Sequence, residues 1–172
     1  MHKILQGVKV RLIKISDFSG DKAHLYSVIV DDDEVSLFEQ FVAENIETHR
    51  KEVMDILMRL QAMSSDYGAR ENYFKLNEGK PGDGVAAVYD LPSKNLRLYC
   101  IRYGSEAVIL GNGGLKKKSI RAYQEDTSLG KKADCMIDIS RLICEYIKNK
   151  DFIINSDGSI TCEVIMEDYE NE

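Results

Sequence analysis

The sequence predicts an α+β fold: an antiparallel meander sheet with a long helix or helical hairpin before it and a helix after it, plus N-terminal and C-terminal β-hairpins. Three observations predict it. Apolar residues recur at helical spacing from Phe38 to Met63. Several short apolar runs between Tyr73 and Leu110 are separated by tight turns, too close for a parallel return, which needs a crossover of about a dozen residues or more. A second helical stripe runs through Met136, Ile139, Ile143 and Ile147. The chain has 172 residues, 44% hydrophobic and 30% charged, as expected of one ordinary globular domain. It divides into an N-terminal hairpin extension (1–34), a core (35–149) and an acidic C-terminal extension (150–172).

Val8–Ile15 alternates apolar and basic residues and predicts a strand with one wet face. Ser16–Lys22 predicts a turn, and His24–Val30 a returning strand that ends in Asp31-Asp32-Asp33. Ser36 and Glu39 fit a capping box. Helix is expected over about 35–64, and the spacing fits either one long helix or a hairpin bent near Asn45–Arg50. Strands are expected at Tyr73–Leu76, Val85–Leu91, Asn95–Tyr103 and Glu106–Leu110, followed by a glycine-rich loop at Gly111–Gly114. A helix is expected over about Ala133–Lys148. The Asp157-Gly158 pair between apolar runs predicts a terminal hairpin.

Charge is unevenly placed. The formal total is −6, which argues against strong nonspecific nucleic-acid binding. Residues 70–122, however, carry a net +5, and residues 151–172 a net −7. This complementarity suggests that the acidic C-terminal segment folds over the basic middle, although a solvated tail is the commoner arrangement. Four cysteines without a CxxC pair, far in sequence from the three histidines, read as buried thiols rather than a metal site. No apolar run reaches the roughly 20 residues that span a bilayer, and the N-terminus lacks a secretory apolar core. The expectation is a cytoplasmic protein with no membrane partner, no metal and no cofactor.

The stretch Asn95–Tyr103 carries the chemistry. Side chains on a strand alternate faces, so Arg97, Tyr99, Ile101 and Tyr103 share one side, and Leu96, Leu98, Cys100 and Arg102 the other. Tyrosine can stack on a base, and arginine can grip a phosphate with two parallel donors. Alternatively, both tyrosines fill core and Arg97 is a surface cation. Lys116-Lys117-Lys118 follows the glycines, but the spacing fails the phosphate-loop pattern GxxxxGK[ST].

Several of these motifs resemble the RelE/HigB family of bacterial toxin components. They are Lys75-Leu76, the turn Gly79–Gly84, Tyr89-Asp90-Leu91, Leu96-Arg97-Leu98-Tyr99, Val108-Ile109-Leu110-Gly111 and Lys116-Lys117. The resemblance covers roughly residues 35–149. It departs at Pro92, where the family carries an arginine, at Asn112–Leu115, and in the acidic overall charge. It implies metal-independent cleavage of mRNA, on the ribosome, by a toxin that a cognate antitoxin protein neutralises. It further implies Arg97, Lys75, Lys117, Tyr99 and Tyr103 as catalytic residues, and Arg102, Lys116 and Lys118 as RNA contacts. The other expectation is a non-catalytic protein-binding module on the same scaffold.

Overall fold

A computed structural model describes residues 8–18, 20–79, 82–116 and 127–168. Strands β1 (Lys9–Lys14) and β2 (His24–Val30) form an antiparallel hairpin. Helices α1 (Leu37–Asn45) and α2 (Arg50–Ala62) follow, and a π-helical turn over Met63–Tyr67 ends the second. Strands β3 (Phe74–Lys75), β4 (Val85–Tyr89), β5 (Leu96–Tyr103) and β6 (Ala107–Leu115) come next, and then helix α3 (Thr127–Lys148). The short pair β7 (Ile153–Ile154) and β8 (Ile160–Thr161) stands apart, and β9 (Met166–Glu167) closes the chain's described part.

The α+β class fits, but the architecture differs from the expected antiparallel meander flanked by separate hairpins. A single seven-stranded mixed sheet has the order β3-β4-β5-β6-β2-β1-β9. The N-terminal hairpin is part of it, because β2 runs parallel to β6 in the register His24↔Ala107 to Ser27↔Leu110. Helices α1 and α2 belong to the crossover that a parallel pair requires. The longest helix, α3 with 22 residues, follows the meander rather than preceding it. The alternation within each strand is a local signal, whereas the partner of β2 is chosen by two strands far apart in sequence.

The helical stripe before the meander divides into two helices. The Ser36 hydroxyl accepts from Glu39 N at 3.2 Å and caps α1. The chain then bends across Ile46–His49, and His49 opens α2. Phe38, Phe41, Val53, Ile56 and Leu60 pack with Leu96, Leu98 and Cys100 on one face of the sheet. On the other face, Met136, Ile139 and Ile143 of α3 pack with Val85, Ala87, Tyr99 and Ile101. Helix α3 begins earlier than expected, and Ile147 lies 36% exposed while Leu142 is buried.

The expected glycine-rich loop is strand. Gly111 and Gly113 lie inside β6, and both are dictated by close contact. A Cβ on Gly113 would stand 1.8 Å from the Arg97 carbonyl oxygen, beside the register shift between Leu98 and Cys100. A Cβ on Gly111 would stand 2.3 Å from the Met136 sulfur of α3. A side chain on Gly113 meets backbone, which cannot swing aside. Gly113→Ala is therefore expected to destabilise the fold by about 1–3 kcal/mol, measured by urea unfolding. An unchanged midpoint would contradict this packing.

Candidate anion-binding site

Strand β4 ends in a buried carboxylate. Asp90 is fully buried, and its oxygens accept five hydrogen bonds: from Ser93 N and Ser93 Oγ at 2.8 Å, Lys94 N at 3.1 Å, Asn95 N at 3.1 Å and Leu96 N at 2.8 Å. These donors bring the turn 91–95 back onto the sheet and start β5 at a defined residue. Burial pushes the Asp90 carboxyl upward, but the hydrogen bonds from Ser93, Leu96 and Lys94 outweigh it and leave its pKa below the ordinary carboxylate value. Lys94 adopts a left-handed φ of 57° within this turn.

The register then assembles the cations. Lys75 lies opposite Ala87, which lies opposite Tyr99, while Tyr89 lies opposite Arg97 and Arg97 opposite Gly114. Alternation puts Lys75, Tyr89 and Arg97 on the face that carries α3. Lys116 N donates to Asn95 O at 2.6 Å and extends the β5–β6 pairing by one step. Its ammonium meets Lys75. Burial, the hydrogen-bonding contact and charge of Lys75, and the charge of Arg97 together hold the Lys116 pKa below the ordinary lysine value, against an opposing pull from Glu78. Lys75, Arg97 and Lys116 thus gather at one end of the sheet.

Arg97 is 8% exposed and is no surface cation. Its guanidinium donates to Lys94 O and stands 5.6 Å from the centre of the Tyr89 ring. The same ring lies 5.2 Å from the guanidinium carbon of Arg59 on α2, which also sits 5.1 Å from the Tyr73 ring and donates to Tyr73 O at 3.0 Å. The Nε atoms of Arg59 and Arg97 are buried with no hydrogen-bond partner. None of Arg59, Lys75, Arg97 and Lys116 forms an ion pair with the described residues, among which Lys9, Arg102, Lys132 and Arg141 do. Sequence reasoning missed Arg59 and Tyr89 as neighbours of this site. The available signal was a cation at the border of the buried α2 stripe, beside Leu60.

The remaining expected residues lie elsewhere. Tyr99 is 7% exposed and packs in the core beneath α3. Tyr103 is at the far end of β5, six residues or about 20 Å from Arg97 along the strand. It packs 6.3 Å from Phe152 and borders a cavity with Ser140 and Cys144, and burial raises the pKa of its hydroxyl. Arg102 is also at that end, donating to Ala69 O at 2.9 Å and facing Glu71 at 3.9 Å. Lys117 and Lys118 lie outside the described residues. Met166–Glu167 pairs with β1 on the edge opposite β3, so this part of the acidic segment does not cover the cations. Among the described residues no three His, Cys, Asp or Glu side chains gather as a metal centre would. No described helix is long and apolar enough to cross a membrane.

Comparison with family models, with curated proteins and with solved structures finds no match to the chain.

Two outcomes follow from this geometry. Asp90→Ala leaves four turn amides, of which Leu96 N is buried, without their acceptor and is expected to cost about 1–3 kcal/mol. Because the folded pKa of Asp90 is depressed, its contribution is complete above the unfolded value of about 3.9 and is lost as pH falls through the folded value. Wild type therefore loses stability in that acid window, and Asp90→Asn loses less, as thermal melts across pH would record. Lys116 has the opposite sense: its depressed value means that stability rises as pH is raised through the window between the folded and unfolded values. Lys75→Ala removes a like charge and should move the Lys116 titration upward, measured by NMR of the lysine side chains. An unmoved titration would contradict the contact.

Proposed function

We propose that the chain binds RNA through Lys75 and Lys116, with Arg97 as a fixed charge beneath them, and cleaves it in the manner of the RelE/HigB toxins that its motifs resemble. The observation that supports this most is a cluster of cations that form no close ion pair among the described residues, in a protein whose net charge is −6. Like charges held together, with only the weaker opposing pull of Glu78 on Lys116, favour an anionic ligand.

In this reading, a backbone phosphate sits against Lys75 and Lys116. Lys116, whose neutral form is favoured relative to an ordinary lysine by burial and its like-charged neighbours, takes the proton of the ribose 2′-hydroxyl in that form. The 2′-oxygen bonds to phosphorus, the bond to the 5′-oxygen breaks, and the Lys75 ammonium protonates the departing oxygen. The products are a cyclic phosphate and a 5′-hydroxyl end. Arg97, held by Lys94 O and Tyr89, stabilises the added charge without moving. mRNA on the ribosome is the substrate, and a protein antitoxin is the restraint.

The burial of Tyr99 and the distance of the half-buried Tyr103 from Arg97 favour a second reading, a non-catalytic module that uses the same cations to bind a partner. One experiment separates the two. Wild type, Lys116→Ala and Lys116→Arg are incubated with mRNA on translating ribosomes and the RNA ends mapped. The enzyme reading expects cleavage by wild type, reduced about 10²–10⁴-fold in Lys116→Ala, and no rescue by Lys116→Arg, which keeps charge but holds its proton. Intact RNA with wild type would overturn catalysis and leave the binding module.

A further inference from the structure

The parallel pair β2 and β6 sends its chain to opposite faces of the sheet. Strand β2 leads into α1, and the chain beyond β6 continues to α3 on the other side. Their pairing stops at Ser27↔Leu110. Where neighbouring parallel strands part in this way, a crevice opens beyond their carboxyl ends, and in open parallel sheets such a crevice commonly holds the ligand. A cavity of about 430 Å³ lies there, between α1 and α3, within the ordinary range for small-molecule sites.

Its walls are chemically opposed. Gln40 and Glu44 of α1 supply acceptors, and Ser128, Lys131 and Lys132 of α3 supply donors. At the floor is Asn112, 7% exposed, whose Nδ2 donates to Glu44 Oε1 at 3.2 Å and whose Oδ1 accepts from Gly113 N at 2.7 Å. Lys132 is engaged, donating to Glu44 Oε1 at 3.0 Å and to Gly113 O at 2.9 Å. The Gln40 amide nitrogen is turned to Asp33 Oδ2 and Val35 O, both at 3.3 Å. This leaves the Gln40 carbonyl oxygen and Glu44 Oε2 as acceptors on one wall, and the Lys131 ammonium and the Ser128 hydroxyl as donors on the other.

We infer that this crevice binds a small molecule with a donor-rich amine end and an anionic end. The amine end faces Glu44 and Gln40, and the anion faces Lys131 and Ser128. Two sources share this chemistry, an α-amino acid and a nucleoside monophosphate with an amino-bearing base. The site is separate from the Lys75–Lys116 cluster and does not depend on the reading proposed for it.

The test is NMR titration of the full chain, following the Asn112 side-chain amide and the Gly113 backbone amide. Probes are GMP, AMP, UMP, glutamate and glutamine, each raised to about 5 mM, a concentration that detects millimolar affinity. The inference expects one class to shift both signals: amino-bearing nucleotides above UMP, or the amino acids. Lys131→Ala, a change at an exposed position, and Glu44→Gln should each weaken binding at least tenfold, while Lys75→Ala with Lys116→Ala should leave it unchanged. No shift with any probe would overturn the inference. So would equal binding by the Lys131 and Glu44 variants, or loss of binding only in the Lys75, Lys116 pair, which would assign the effect to the cation cluster.

Discussion

Asp90 accepts hydrogen bonds from the backbone of four successive residues and from one hydroxyl, and the geometry of the cation site depends on it. A carboxylate without water is stable only when its lone pairs are filled. Here the donors come from the turn that joins β4 to β5, so satisfying the charge and closing the turn are the same event. The turn presents Lys94 O to Arg97 and Asn95 O to Lys116. An acidic residue at the end of β4 thus places two cations, although it touches neither through its own side chain in the bonds described.

The other constraint is the path of β6. It must pass close enough to Arg97 for Gly113 to meet its carbonyl, and beneath Met136 at Gly111. The close approach and the shifted register at Leu98 and Cys100 carry the strand on to Lys116. Arg97 is enclosed by this arrangement and by the Tyr89 ring, which the Arg59 guanidinium also approaches. The ring's face gives the buried Arg97 guanidinium a partner for its positive charge. The two partnerless Nε atoms are the cost.

The parts of the fold that were legible in the sequence are those encoded locally. The stripes of α1, α2 and α3 follow from spacing of three and four, and the runs of β4 and β5 from alternation. The join of β2 to β6 was not legible, because no local pattern names a partner across the whole crossover. Gly111–Gly114 suggested a loop since glycine composition is the same for a flexible turn and a crowded strand, and only the Arg97 carbonyl and Met136 distinguish them. Within the site, Lys75, Arg97 and Lys116 were visible as basic residues flanking strands. Arg59 was not, because its neighbours Tyr73 and Tyr89 come from other elements. Tyr99 and Tyr103 share the strand face of Arg97, but α3 covers one and the length of β5 removes the other.

The central claim is that Lys75 and Lys116 together receive a backbone phosphate of RNA. A crystal structure with a short 2′-O-methyl RNA, which cannot supply the attacking hydroxyl, tests it most directly. The account predicts a phosphate whose oxygens lie within hydrogen-bonding distance of both ammonium groups, with the Arg97 guanidinium still against Tyr89. An oligonucleotide bound on another face, with Lys75 and Lys116 touching no phosphate, would contradict it.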